Sequence, residues 1–408
     1  MSSEKKQIFR ITVSLPDVKK LKIIKEKLPS KALEKFADSY GDILDLLRVK
    51  VQEEAITALV QFYDIPLRCF TFQDFQLALT LEEVDRILEF SMIKKETYTG
   101  IGKKVKVVDL DRALGIPITD LILHYKVEGE VQGIKRSFLE AQAMSYAQKK
   151  QWEITGNILA LLMFGVVLLP KNVNHVDPAA IHVFYFVKVF GKDTTLTILA
   201  NIYYTLHTCC EKKKGVLFFF VQVLFTWLMS HLHKASYLVK DLTRHEWAQK
   251  LRALNADSIV WYSRNLNYEK IVYRFGEYHN VPLIGINGCI NYNSMLALRQ
   301  LGHPMNDKPS EEQIRELILH DMGKGEPIEL KKVIHAWNHV LRKDFGPKNV
   351  IAREPCVRWV LERVEKNPLP FVADPTYKPD TPDQGLLSVE EIEGHKVALE
   401  APKERRRG

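Results

Sequence analysis

Hydrophobic positions along the chain recur mostly at three- and four-residue intervals, which predicts a largely helical fold. Asp17 to Val49 mixes Leu, Ile and Lys at helical spacing, with Pro29-Ser30 dividing it into two helices. Ile43, Leu44, Leu46 and Leu47 lead into Val51–Phe62, where Ala55, Leu59 and Phe62 mark one amphipathic face. Ser137–Leu169 reads as helices ended by Pro170, and Leu196–Cys209 and Val216–Leu232 as strongly apolar ones. Further helices are expected at Trp247–Leu254, Ser294–Leu301, Pro309–His320 and Lys331–Leu341, with a short one at Asp109–Leu114. Proline, glycine and Asn-Gly mark Val281–Cys289 as an irregular loop, and Tyr98–Val108 reads as a loop with a short strand.

One stretch has a period of two. Phe70 and Phe72 alternate with polar residues, Gln73-Asp74 intervenes, and Phe75, Leu77 and Leu79 alternate in turn. This predicts a β-hairpin. Thr80 then stands three residues before Glu83, the spacing at which two side chains each satisfy an orphaned backbone N–H at a helix start. Leu81, Val84, Ile87 and Leu88 form the apolar stripe behind it. The expected class is therefore mainly α, a multi-helix globular domain with one or two small β-hairpins. Its core falls to Ile158–Leu169, Leu196–Cys209 and Val216–Leu232. Residues 1–49 read as a basic helical segment, 50–367 as the domain, and 368–408, rich in proline and charge, as a disordered tail.

Composition adds compartment and charge. The five cysteines show no C-x-x-C spacing and the first residues have no apolar leader, so a reducing intracellular setting is expected. Of the formal net charge of +8, residues 1–35 carry six, from ten Lys/Arg against Glu4, Asp17, Glu26 and Glu34. Lys5, Lys6, Arg10, Lys19, Lys20 and Lys22 are thus candidate polyanion contacts, and a basic nucleic-acid-binding accessory protein is one reading. Aromatics do not interleave with these lysines as base stacking requires, and a solvated face is the plainer account.

Candidate chemistry is sparse. His320-Asp321 resembles the doublet of metal-dependent phosphohydrolases, but one pair cannot hold a catalytic ion, and neither His279 nor Asp344 is singled out by spacing. His335 and His339 can share a helix face, yet Ala336-Trp337-Asn338 between them lacks the glutamate of the H-E-x-x-H proteases. His231 and His233 point apart on a helix, and Cys209-Cys210 beside His207 has no second ligand pair at finger spacing. Tyr98–Lys103 holds two glycines and a lysine without the phosphate-loop frame. Val216–Leu232 spans 17 residues, roughly 25 Å as a helix, so a membrane-associated protein is another reading. Gln222, Thr226, Ser230 and His233 make one polar stripe on it, which favours a core helix. No cofactor or catalytic residue is assigned.

Several segments together resemble the plant mobile domain, also labelled aminotransferase-like, and most closely a legume-rich branch of unknown function. Phe70–Leu88 is similar to the family's aromatic hairpin and T-L-E-x-V-x-x-L-L helix, and Ile158–Pro170 to its apolar helix ending in Leu-Pro. Leu199–His207 with 216–232 is similar to its paired central helices, while Val281–Asn293 and Ala297–Gly302 resemble the legume branch. Leu88-Glu-Phe replaces a Leu-Gly-Leu-Pro turn common in relatives. The resemblance covers roughly residues 50–365. It implies a transposable-element origin, a nuclear setting, a protein partner of phosphatase-like kind and no catalytic residues. The expected function is a non-enzymatic interaction or scaffold module.

Overall fold

The computed structural model describes residues 7–90, 96–98, 105–128, 131–218, 220–232, 241–262, 270–320 and 328–377. The helix Thr195–Glu211 runs through its centre, with Leu196, Ile198, Leu199, Ile202, Tyr203 and Leu206 all buried. It packs on the strands Val281–Ile284 and Gly288–Tyr292 and on the helix Leu81–Leu88. Trp152–Leu162 is a second core helix and continues as a π-helical turn, Met163–Leu168, wholly buried. Burying each large aliphatic side chain here contributes roughly 1.5–3 kcal/mol. Residues 9–47 are not a separate arm. Phe9, Ile11, Leu21, Ile24, Phe36, Tyr40 and Ile43 join the same apolar core as the central helices.

The mainly α expectation is overturned: about 52% of the molecule is helix and 15% strand, a mixed α/β fold. Its strands are two to five residues long and form sheets of two or three. Many pair across long sequence separations, as Arg10–Val13 does in parallel with Lys214–Leu217, and Glu96–Thr97 with Lys192–Asp193. Runs this short offer too few alternations for a period of two to register. Val281–Cys289 was expected as a loop, but Val281–Ile284 and Gly288–Tyr292 form an antiparallel hairpin with a third strand, Ile318–His320. The proline and glycine there sit in the ladder: a Cβ on Gly288 would lie 2.2 Å from the Leu319 carbonyl oxygen. Pro309–His320 accordingly gives up its expected helix, since its last residues pair with Gly288–Ile290. Lys331–Leu341 splits into a helix, Ile328–Trp337, and a strand, Val340–Lys343, paired with Ile271–Phe275.

The apolar run Val216–Leu232 also divides, into the end of a strand (Lys214–Leu217) and a 12-residue helix, Val221–Leu232. No helix among the described residues is long and apolar enough to cross a membrane. Other expectations hold: helices at Lys19–Lys27 and Ser30–Tyr40 flank Pro29, and the hairpin Cys69–Thr71/Gln76–Leu77 forms with Phe70 opposite Leu77. The capping box of Thr80 and Glu83 is present with both bonds.

Two positions yield tests. A Cβ on Gly165 would lie 2.4 Å from Val176 Cγ1, so the π turn and the strand His175–Val176 touch only because residue 165 has no side chain. Gly165→Ala is expected to lower stability by roughly 1–3 kcal/mol. Val176→Ala in the same chain should recover part of that loss in urea unfolding; simple additivity of the two changes would show the contact to be absent. Asp193 Oδ1 accepts the Thr195 N–H at 2.8 Å. Burial pushes its carboxyl up to about 6 against the opposing pull of that bond. The folded chain thus holds a proton that an unfolded carboxylate releases near pH 4. This contribution to stability is present below pH ~4 and lost as pH rises through about 6. Asp193→Asn should flatten that part of the stability–pH curve, and an unchanged slope would discount the group.

Candidate binding site

A large hollow among the described residues lies beside the predicted hairpin. The short helix Val60–Phe62 and strand Tyr63–Asp64 lead through a turn to Cys69–Thr71, and Phe72 and Phe75 stack at 4.6 Å to close the hairpin. Against this edge lie the helices Arg244–Ala253 and Glu354–Lys366. Together with the segment 368–377 they enclose a cavity of about 670 Å³. Its walls are largely apolar, with Phe9, Phe62, Phe72, Leu369 and Phe371 prominent. Phe62 stacks on Phe72 at 5.1 Å and meets Phe371 edge-on at 5.9 Å.

The charged groups of the cavity, Asp64, Arg252 and Asp374, are each paired within the fold. Asp64, almost fully buried, takes a bidentate pair from Arg363, Nε–Oδ2 2.5 Å and Nη2–Oδ1 2.6 Å. Such a fork is the strong form of carboxylate recognition. Arg252 Nη1 donates to the Phe371 carbonyl at 3.0 Å, and Asp374 faces His245 Nε2 at 3.2 Å. Hydrogen bonds from Thr376, helped by His245, hold the Asp374 carboxyl down at about 2. No nucleophile paired with a base lines the space: Cys69, nearest in sequence, is buried, and that burial drives its thiol far up.

The segment 368–377, expected to be part of a disordered tail, is seated instead. His245, Gln249 and Arg252 stand at i, i+4 and i+7 on one face of Arg244–Ala253, and all three bind it. Gln249 Nε2 donates to the Val372 carbonyl at 3.1 Å and its Oε1 accepts the Asp374 N–H at 2.9 Å. The remainder of the tail, 378–408, lies outside the described residues.

A second polar centre fixes the hairpin to the core. Glu83 accepts from Thr80 N (3.0 Å), Thr80 Oγ1 (2.9 Å), Trp227 Nε1 (3.1 Å) and Gln300 Nε2 (3.0 Å). His231 Nε2 meets it at 2.9 Å, while His231 Nδ1 faces the Val260 carbonyl at 2.9 Å and therefore carries a proton. The spacing that announced a helix cap thus concealed a buried hub. Sequence reading missed Gln300, Trp227 and His231 as partners because they lie 144 to 217 residues away.

The residues singled out from sequence are mostly scattered. His320 Nδ1 bonds Tyr204 Oη at 2.8 Å on a strand; Asp321, His233 and Gly100–Lys103 lie outside the described residues. His335 and His339 approach to 4.5 Å between ring centres on the surface, and His279 stands 3.7 Å from Glu312. Asp344 caps a turn at Gly346. His207 and Cys210 are buried, and burial lowers the imidazole. Among the described residues no three His, Cys, Asp or Glu could hold a metal. Arg10 pairs in register with Lys214, beside exposed Lys212 and Lys213. Lys20 is tied to Glu140 at 3.2 Å; Lys19 and Lys22 are exposed on the same helix; Lys5 and Lys6 lie outside the described residues.

A family profile described as Domain of unknown function (DUF7745) matches residues 21–365. The chain belongs to this family. No curated protein and no solved structure matches it. The DUF7745 match takes in the hairpin, the Glu83 hub and the helices walling the cavity, and stops just short of the segment 368–377. DUF7745 carries no assigned activity.

The hub is open to test. Glu83→Ala leaves His231 and four further donor groups facing an emptied site, and breaking a buried charged network costs about 3–5 kcal/mol. Urea unfolding should show a large fall in midpoint, whereas exposed Glu365→Ala should leave it unchanged. A Glu83→Ala loss below about 1 kcal/mol would mean the hub contributes little.

Proposed function

We propose that this chain is a non-enzymatic interaction module that takes a protein partner at the aromatic cavity. The observation that carries the reading is the pairing of its walls: Asp64, Arg252 and Asp374 are each spent within the fold, which leaves a large apolar hollow equipped for recognition. Ligand sites are typically concave and apolar with a few placed polar groups, and this one has Gln73, Asn367 and Tyr377 at its walls. The resemblance to the plant mobile domain supports a transposable-element origin and a nuclear setting with a phosphatase-like partner.

Ala253 is exposed and lines the cavity, so Ala253→Trp fills the hollow without emptying the core. Tagged wild-type and Ala253→Trp chains, recovered from nuclease-treated plant nuclei, should differ in the partners retained, with near-equal melting temperatures. Identical partner sets from the two would remove the cavity from the account.

A second reading has its own support. The parallel pairing that sets Arg10 beside Lys214 gathers four cations with Lys212 and Lys213. A polyanion held there would bind with an affinity that falls steeply with salt. Replacing Lys212, Lys213 and Lys214 by Glu should then abolish retention on heparin at low salt, and unaltered retention would dismiss this patch.

A further inference from the structure

The groove beside the cavity already holds a peptide, the chain's own 368–377, and the manner of its seating defines what the groove recognises. Two of the three side chains that hold it address main-chain atoms. Gln249 spans Ala373, giving its N–H to the Val372 carbonyl and taking the Asp374 N–H, as a peptide unit of a neighbouring β-strand does. Arg252 takes the Phe371 carbonyl. Recognition of this kind reads backbone groups and tolerates many sequences. Two side chains of the segment add selectivity that a partner could copy: Phe371, edge-on to Phe62 at 5.9 Å, and Asp374, facing His245 at 3.2 Å. The segment is joined to the rest of the fold through Asn367, where the helix Glu354–Lys366 ends. Phe371 and Asp374 themselves are only partly buried.

We propose that this groove docks a segment of a partner protein carrying an aromatic residue three positions before an acidic one, and that 368–377 is the tethered competitor which that segment displaces. The proposal rests on the reading of this face as a partner site and names the chemistry of the partner. The physical reason is exchange between like ligands. The strap's ties are two main-chain recognitions, one part-exposed imidazole–carboxylate contact and one aromatic edge, all of which an incoming segment of the same pattern can reproduce. A short tether supplies an effective concentration on the order of millimolar, so a free segment competes poorly until the strap is weakened.

The test uses the full chain and a fluorescein-labelled peptide spanning Leu369–Tyr377. In Phe371→Ser/Asp374→Ser the seat is intact but its occupant is weakened, and fluorescence anisotropy should show the peptide binding at least tenfold more tightly than to wild type. The milder Asp374→Ser chain should fall between them and serves if the double variant loses its fold. A peptide with Ala in place of its Phe and Asp should bind at least tenfold more weakly, and adding Gln249→Ala to the receptor should abolish the gain. Equal binding to wild type and both strap variants, or equal binding of native and altered peptides, overturns the proposal. So does a stable dimer of wild type by light scattering that the strap substitutions dissolve, since the occupant would then be a second copy's strap. If the peptide results fail while Ala253→Trp still sheds partners, the cavity reading survives without this inference; if Ala253→Trp changes nothing while the peptide binds as expected, the groove stands apart from the cavity.

Discussion

The Glu83 carboxylate is the point on which separate parts of this chain agree. It closes the start of Leu81–Leu88, receives Trp227 and His231 from Val221–Leu232, and holds Gln300, whose amide in turn clasps both backbone groups of Ala78 at 2.8 Å. An acceptor that takes donors from four places in the chain imposes a geometry that apolar packing alone leaves loose. Phe70 lies against Trp227 at 5.5 Å, so the hairpin carrying the cavity's aromatic wall is held from the same centre. The cavity owes its shape to a carboxylate that does not line it.

A contrast in how charge is buried runs through the site. Asp64 and Arg363 satisfy one another in a fork, and the Asp64 pairing outweighs the burial that would otherwise lower the guanidinium. Arg68, fully buried at a left-handed backbone position, has one ion-pair partner, Glu316 at 3.3 Å, itself half exposed. Burial lowers this guanidinium. The two arginines show why a paired charge can wall a binding hollow while a poorly paired one is confined to the turn between strands.

How much of this could be read in the sequence depended on distance along the chain. The Thr80/Glu83 spacing and the Phe70–Leu79 alternation are local, and both elements stand as read. The helices divided by Pro29 are likewise local. The pairing of Arg10–Val13 with Lys214–Leu217 is not, and nothing in either segment names the other. The same holds for the site: its aromatic wall belongs to the legible hairpin, whereas the strap was read as unstructured from its prolines and charge. The chain bends at Pro370 and Phe371, and beyond that bend Gln249 reaches two backbone groups, the Val372 carbonyl and the Asp374 N–H. His245, Gln249 and Arg252 fall on one helix face, a polar stripe whose purpose appears only once its partner is in place.

The parallel strand pair has a consequence for how the molecule is made. Arg10–Val13 can be hydrogen-bonded only after Lys214–Leu217 exists, and the helix Thr195–Glu211 that leads into it must already have turned the chain. At translation speeds of about 5–20 residues per second, the ribosome takes roughly 10–40 s to cover the intervening chain. Throughout that interval Phe9, Ile11 and Val13, all core residues in the finished protein, remain uncovered by their strand partner. The basic residues around them, Arg10 and the lysines of Lys19–Lys27, are then more than a surface charge of the folded state. Positive charge flanking an apolar strand opposes its association with other exposed strands, which is the protection such a strand needs until its partner exists.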